Sequence, residues 1–149
     1  MISSFNIVTT LSIGLMIGVE FAVSVFINPV LQQLADQPRA QAIVLFARKL
    51  GKAMPFWYSS NLMLLIATWV LHRQASITLP MSAAIGLWAL VILLTLIFLV
   101  PINNRMAREE AHAHAEQAHR EHQRWDSMHR ARVIALCAAM IFYLSAIRA

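Results

Sequence analysis

Apolar residues gather into four long blocks, roughly Phe5–Ile27, Ala53–Leu71, Pro80–Val100 and Val133–Ile147, separated by shorter segments that hold most of the charge. The first three blocks are long enough to cross a hydrocarbon core of about 30 Å as helices rising about 1.5 Å per residue. The fourth is short and gains length by running back to about residue 130, with His129 and Arg132 snorkelling to the interface. Met1–Phe26 lacks the basic start of a secretory signal and carries Glu20, so it reads as the first span. Pro55 and Pro80 are expected in the first turns of their helices, and Pro29 and Pro101 where helices end. Between spans one and two, Val30, Leu31, Leu34, Ile43, Phe46, Ala47 and Leu50 recur at helical spacing beside Arg48, Lys49 and Lys52, which predicts an amphipathic interfacial helix. Met106–Met128 is rich in Ala, Glu, Gln, Arg and His without Gly or Pro, and predicts a polar helical lead-in to the fourth span. The expected fold is an all-α bundle of four transmembrane helices, with residues 1–149 as one membrane domain.

Composition and charge sharpen this picture. A chain of 149 residues that is 59% hydrophobic and 13% charged has too little polar surface for a soluble fold of its size. The net charge of +5 sits in inter-helix segments, and lacks the basic stripe and aromatic interleaving of a nucleic-acid surface. Segments 28–52 and 101–132 hold four and six Lys or Arg residues, against Arg73 and Arg148 on the other side. That asymmetry predicts cytoplasmic basic segments, both termini outside and an inner-membrane location. With Cys137 as the sole cysteine, neither an intrachain disulfide nor a multi-cysteine metal site can form.

Few positions carry chemistry. Glu20 is the sole acid within a predicted span and is expected to face the interior with Ser24 one turn away. It serves as a proton acceptor or ligand anchor, or else as an interhelical hydrogen bond favoured by close approach at Gly14 and Gly18. Trp125, His129 and Arg132 fall on one helical stripe, as a flat wall, a proton-exchanging group and an oxyanion holder. The competing reading is an interfacial belt. Asn28, Asn103 and Asn104 stand just beyond two span ends on the same side, where Asn also caps helices. Glu109 with His112 and Glu116 with His119 make acid-x-x-His pairs like those of di-iron bundles. Both pairs lie on one segment, so a metal at His112, Glu116 and His119 is the disfavoured alternative to none. Asn61 with Trp57 and Tyr58 offers a polar wall, although Trp and Tyr beside Pro55 are also ordinary interfacial residues; His72 with Arg73 marks the outer end of that span.

Gly18-Val19-Glu20-Phe21, Asn28-Pro29-Val30-Leu31, Pro55, Val100-Pro101-Ile102-Asn103-Asn104 and Trp125-x-x-x-His129-x-x-Arg132, in this order, resemble the anthrone oxygenase family of small four-helix membrane proteins. The likeness covers nearly the whole chain. It implies oxidation of an anthrone-type or phenolic compound, with dioxygen as co-substrate and no tightly bound cofactor, although many bacterial members have no assigned role. An anthrone methylene is acidic enough to give a delocalised phenolate that reacts with dioxygen directly. Such a substrate needs a base, an oxyanion partner and a flat apolar pocket. The resemblance suggests His129 as base, Arg132 with Asn103 or Asn104 as oxyanion partners, Trp125 as stacking wall and Glu20 as an orienting group. Two other functions compete: a non-enzymatic module binding a lipid or small hydrophobe, and a small proton-coupled exporter built on Glu20. The lipid bilayer and a small hydrophobic substrate are the expected partners, and homo-oligomerisation stays open.

Overall fold

The computed structural model describes residues 2–72, 75–106 and 115–148, with side chains for 4–72, 79–105 and 123–148. Its elements are α1 (Ile2–Ala22), a π-helical turn (Val23–Ile27), α2 (Asn28–Gln32), α3 (Asp36–His72), α4 (Ala75–Leu94), a second π turn (Thr95–Leu99), α5 (Val100–Met106) and α6 (Ala115–Arg148). Four stretches are long and apolar enough to cross a membrane: Ser4–Gln32, Asp36–His72, Leu79–Arg105 and Gln123–Arg148. α1 packs on α3, α3 on α4, α4 on α6, and α6 closes the ring against α1.

One end of the ring is tightly packed. Ile13, Met16, Leu65, Met81, Trp88, Leu136 and Tyr143 fill it, while Leu15, Phe56, Met63, Leu79 and Ile134 point outward as expected for side chains facing lipid. The inward positions follow a three-four alternation. On α3 they are Val44, Ala47, Tyr58, Asn61, Leu65 and Thr68, and on α6 Asp126, His129, Val133, Leu136, Ala139, Tyr143 and Ala146. This is the seam expected of helices crossing at small angles.

The two π turns correct the expectation that Pro29 and Pro101 end helices. Both helices run on, to Gln32 and Met106. A proline ring collides with the carbonyl four residues back, here that of Val25 and of Ile97, and each is the middle residue of a π turn. Widening the turn relieves the collision. The Asn28 N–H then donates to Val23 O, and the Val100 N–H to Thr95 O, each five residues back. The extra residue also shifts the inward register by one position. On the first helix the inward series passes through Glu20 to Asn28 and Leu31, leaving Val30 exposed; on the third it passes from Val91 to Leu99 and Ile102, leaving Phe98 exposed.

Other expectations also change. Pro55 and Pro80 lie inside helices that begin well before them. Of the segment expected to form an amphipathic interfacial helix, Val30 and Leu31 lie in α2, Leu34 in the turn after it, and Ile43, Phe46, Ala47 and Leu50 in the first part of α3, where Val44 and Ala47 are buried. Gly14 and Gly18 are not points of close approach: a Cβ at Gly14 would meet Met140 Cε at an ordinary 3.7 Å, and one at Gly18 would meet nothing within 4 Å. Gly51 is the tight position, since a Cβ there would lie 2.9 Å from Asn103 Nδ2. Of the lead-in, residues 107–114, including Glu109 and His112, lie outside the described residues, as do the side chains of Glu116 and His119.

Candidate functional site

The π turns and the middle of α3 surround a cavity of about 290 Å³, near the lower end of small-molecule sites. Val23, Leu31, Phe46, Ile92, Leu96 and Leu99 give it apolar walls, and Glu20, Asn28, Tyr58, Thr95, Asn103, Asn104, Trp125, His129 and Arg132 line it too. Gly51 and Met54 would continue the inward seam of α3 between Ala47 and Tyr58. They line the cavity instead, with Gly51 exposed and Met54 half-buried.

Glu20 stands at the centre of the polar groups and is 2% exposed. Its Oε1 accepts a 2.8 Å hydrogen bond from the Tyr58 hydroxyl, and its Oε2 accepts one of 2.6 Å from Arg132 Nη2. The same Nη2 reaches His129 Nδ1 at 2.7 Å, and His129 Nε2 lies 3.0 Å from the Glu20 main-chain oxygen. One tautomer satisfies both imidazole contacts: Nε2–H donates to the Glu20 carbonyl and Nδ1 accepts from Arg132. Trp125 stacks on the imidazole, with ring centroids 4.6 Å apart and planes at 10°. The Arg132 guanidinium carbon lies 5.6 Å from the Tyr58 ring centroid, within cation–π range. Arg132 Nε is buried without a hydrogen-bond partner among the described residues. Three of the four spans thus hold one cluster. A buried carboxylate requires such pairing.

Asn28, turned inward by the first π turn, donates from Nδ2 to Asp126 Oδ1 at 2.6 Å, and Arg130 holds the other Asp126 oxygen at 2.8 Å. Asn103 Nδ2 donates to Ala47 O at 3.3 Å, tying α5 to α3 where Gly51 permits contact. Asn104 is exposed at the rim. All three asparagines stand within continuing helices, which removes the helix-terminating role weighed for them.

A family model described as Anthrone oxygenase matches residues 42–142. The chain belongs to the anthrone oxygenase family. No curated protein or solved structure shows a match. The matched span includes Tyr58, Asn103, Asn104, Trp125, His129 and Arg132. Glu20 and Asn28 precede it, so the match is shorter than the resemblance read from the motifs.

All seven residues singled out beforehand, Glu20, Asn28, Asn103, Asn104, Trp125, His129 and Arg132, line the one cavity. Tyr58 was missed as a member of the cluster, and Asp126 as the buried partner of Asn28. Tyr58 looked interfacial beside Trp57 and Pro55, yet it is 4% exposed and bonded to Glu20. The signal that finds Asp126 is its place three residues before His129 on the inward seam of α6. Asn61 does not line the cavity: it is buried on the packed side, where it accepts from Ser12 Oγ at 2.6 Å. His72 bonds Asn6 and the Thr68 carbonyl near the end of α3 away from the cavity. Among the described residues no three His, Cys, Asp or Glu side chains converge as metal ligands.

Proposed function

We propose that this protein is a membrane-embedded oxygenase that takes a small lipophilic aromatic of the anthrone or phenol type into the cavity and oxidises it with dioxygen. The observation that carries the reading is a buried carboxylate–arginine–tyrosine cluster at the side of an apolar cavity. Family membership supports the reaction type, and the distribution of basic residues argues that the cavity end faces the cytoplasm.

In this reading the substrate methylene loses a proton to the Tyr58 oxygen as Tyr58 passes its own to Glu20. The substrate carbonyl becomes a phenolate, held by the N–H of Arg132 Nε, which has no partner among the described residues. Dioxygen adds at the former methylene carbon, the peroxide takes a proton back from Glu20 through Tyr58, and the resulting hydroperoxide loses water to leave a carbonyl. Each CH2 and O2 thus yields one C=O and one H2O, with dioxygen taking the four electrons that the carbon loses. No tightly bound cofactor enters this scheme. His129 has both nitrogens engaged and serves to position Glu20 and Arg132, in place of the base role suggested by the family resemblance. Trp125 provides a flat wall, and Asn28, Asn103 and Asn104 shape the opening.

Purified protein in lipid nanodiscs, given anthrone in an oxygen-electrode cell, should consume one dioxygen per anthraquinone formed, well above the protein-free rate. Tyr58→Phe and Glu20→Gln should each reduce that rate by about a hundredfold. A parent protein no faster than empty nanodiscs defeats the proposal.

A further inference from the structure

We propose that the Thr95 hydroxyl is a specificity-determining group of the cavity, binding a second oxygen on an aromatic ligand whose first oxygen is held by Arg132. The inference rests on reading the cavity as a substrate site. It adds a residue from the third span, opposite in chain position to the Glu20 cluster.

The argument starts from what hydroxyls do elsewhere in the bundle. Thr9, Thr10, Ser59, Thr68 and Ser145 each donate to the carbonyl four residues back, at 2.8 to 3.0 Å, the usual arrangement for such side chains within a helix. Thr95 departs from it. Its Oγ1 is buried and has no hydrogen-bond partner among the described residues. Thr95 also opens the second π turn, and its own carbonyl takes the Val100 N–H five residues on. π turns of this kind are frequent at functional sites. Thr95 lines the same cavity as Arg132, whose Nε is likewise buried without a partner.

Two buried polar atoms without a partner among the described residues, on residues that line the cavity, indicate what should fill it. Arg132 Nε–H only donates, so it calls for a carbonyl or phenolate oxygen. A hydroxyl both donates and accepts, so Thr95 suits a phenol or a second carbonyl. The ligand class is therefore a flat ring system bearing oxygens at separated positions. A site built to bond a ligand oxygen discriminates against the analogue that lacks it, because its own buried group is then left unpaired.

The test uses the full chain in nanodiscs and two redox-stable probes, a dihydroxylated anthraquinone and unsubstituted anthraquinone, with affinity read from quenching of tryptophan fluorescence. Thr95→Val should weaken binding of the dihydroxylated probe by about tenfold, with Thr95→Ser within about twofold of the parent. The unsubstituted probe should bind all three proteins less differently, within about threefold. Equal affinity of parent and Thr95→Val for the dihydroxylated probe overturns the inference, as does an equal loss for both probes or failure of Thr95→Ser to restore binding. Because binding needs no turnover, a parent that binds the probes but consumes no oxygen with anthrone defeats the oxygenase reading alone. A parent that binds neither probe defeats both.

Discussion

The two ends of the bundle are built from the same four spans and differ in one respect, the regularity of their helices. Around Ile13, Leu65, Trp88 and Leu136 every helix keeps its α geometry and the seams close on one another. Around Glu20 two of the four helices carry a π turn, the inward series slips by a residue, and a cavity stands where the seam of α3 should close at Gly51 and Met54. Trp88 links the ends, donating from Nε1 to the Tyr58 carbonyl at 3.1 Å. An irregular helix is thus how an otherwise repetitive bundle makes room for chemistry.

Removing the charge partner of Glu20 should break the cavity end most severely. Arg132→Ala leaves a buried carboxylate without its cation, which typically costs about 3–5 kcal/mol, measurable as a lowered unfolding midpoint in mild detergent. The double variant Glu20→Leu with Arg132→Met should regain most of that stability and none of the oxygen uptake. Stability and chemistry would then separate at one site.

Deleting Ile97 should erase the second π turn and return the third helix to plain α geometry, with Leu99 still inward, seven positions after Val91, and the change confined to the turn that carries Thr95. Helix content by circular dichroism should stay near that of the parent, while probe affinity or turnover falls by about a hundredfold, the scale on which a small misplacement acts. Retained function would show that the irregularity does not shape the site. A smaller effect is expected at the tight contact of α3 with α5: Gly51→Ala meets only the end of the Asn103 side chain and should cost no more than about 1 kcal/mol, and Asn103→Ala introduced beside it should relieve that loss in the same unfolding assay. The packed end supplies the control. Leu79→Val, on an exposed position that is expected to face lipid, should shift stability by no more than about 0.5 kcal/mol.

Much of this contrast could be read from the sequence, and the unread part has a common cause. The four spans follow from apolar length alone, and Glu20 from the cost of placing an acid among them. Their assembly into one cluster was also foreseeable, because charge distribution put Asn28, Asn103 and His129 at one end. The π turns were not foreseeable from local rules, which make Pro29 and Pro101 helix ends, whereas packing against neighbouring spans keeps both chains helical and widens the turn instead. The trace they leave is the one-residue slip that buries Asn28 and Leu31 and exposes Val30. Tyr58 was hidden for a different reason. Its neighbour Trp57 and its closeness to Pro55 match the aromatic belt of a membrane surface, but α3 begins at Asp36, which places Tyr58 deep within a helix and not at its start.

The length of α3 carries a mechanical consequence. Its 37 residues extend about 55 Å at about 1.5 Å per residue, well beyond a hydrocarbon core of about 30 Å, so part of the rod must stand in the headgroup region or in water. A force on the Asp36 end reaches Gly51 and Tyr58 through continuous helix, with Pro55, where a backbone hydrogen bond is missing, as a soft joint between them. Gly51 and Tyr58, which line the cavity, thus sit near the middle of this rod and not at either of its ends.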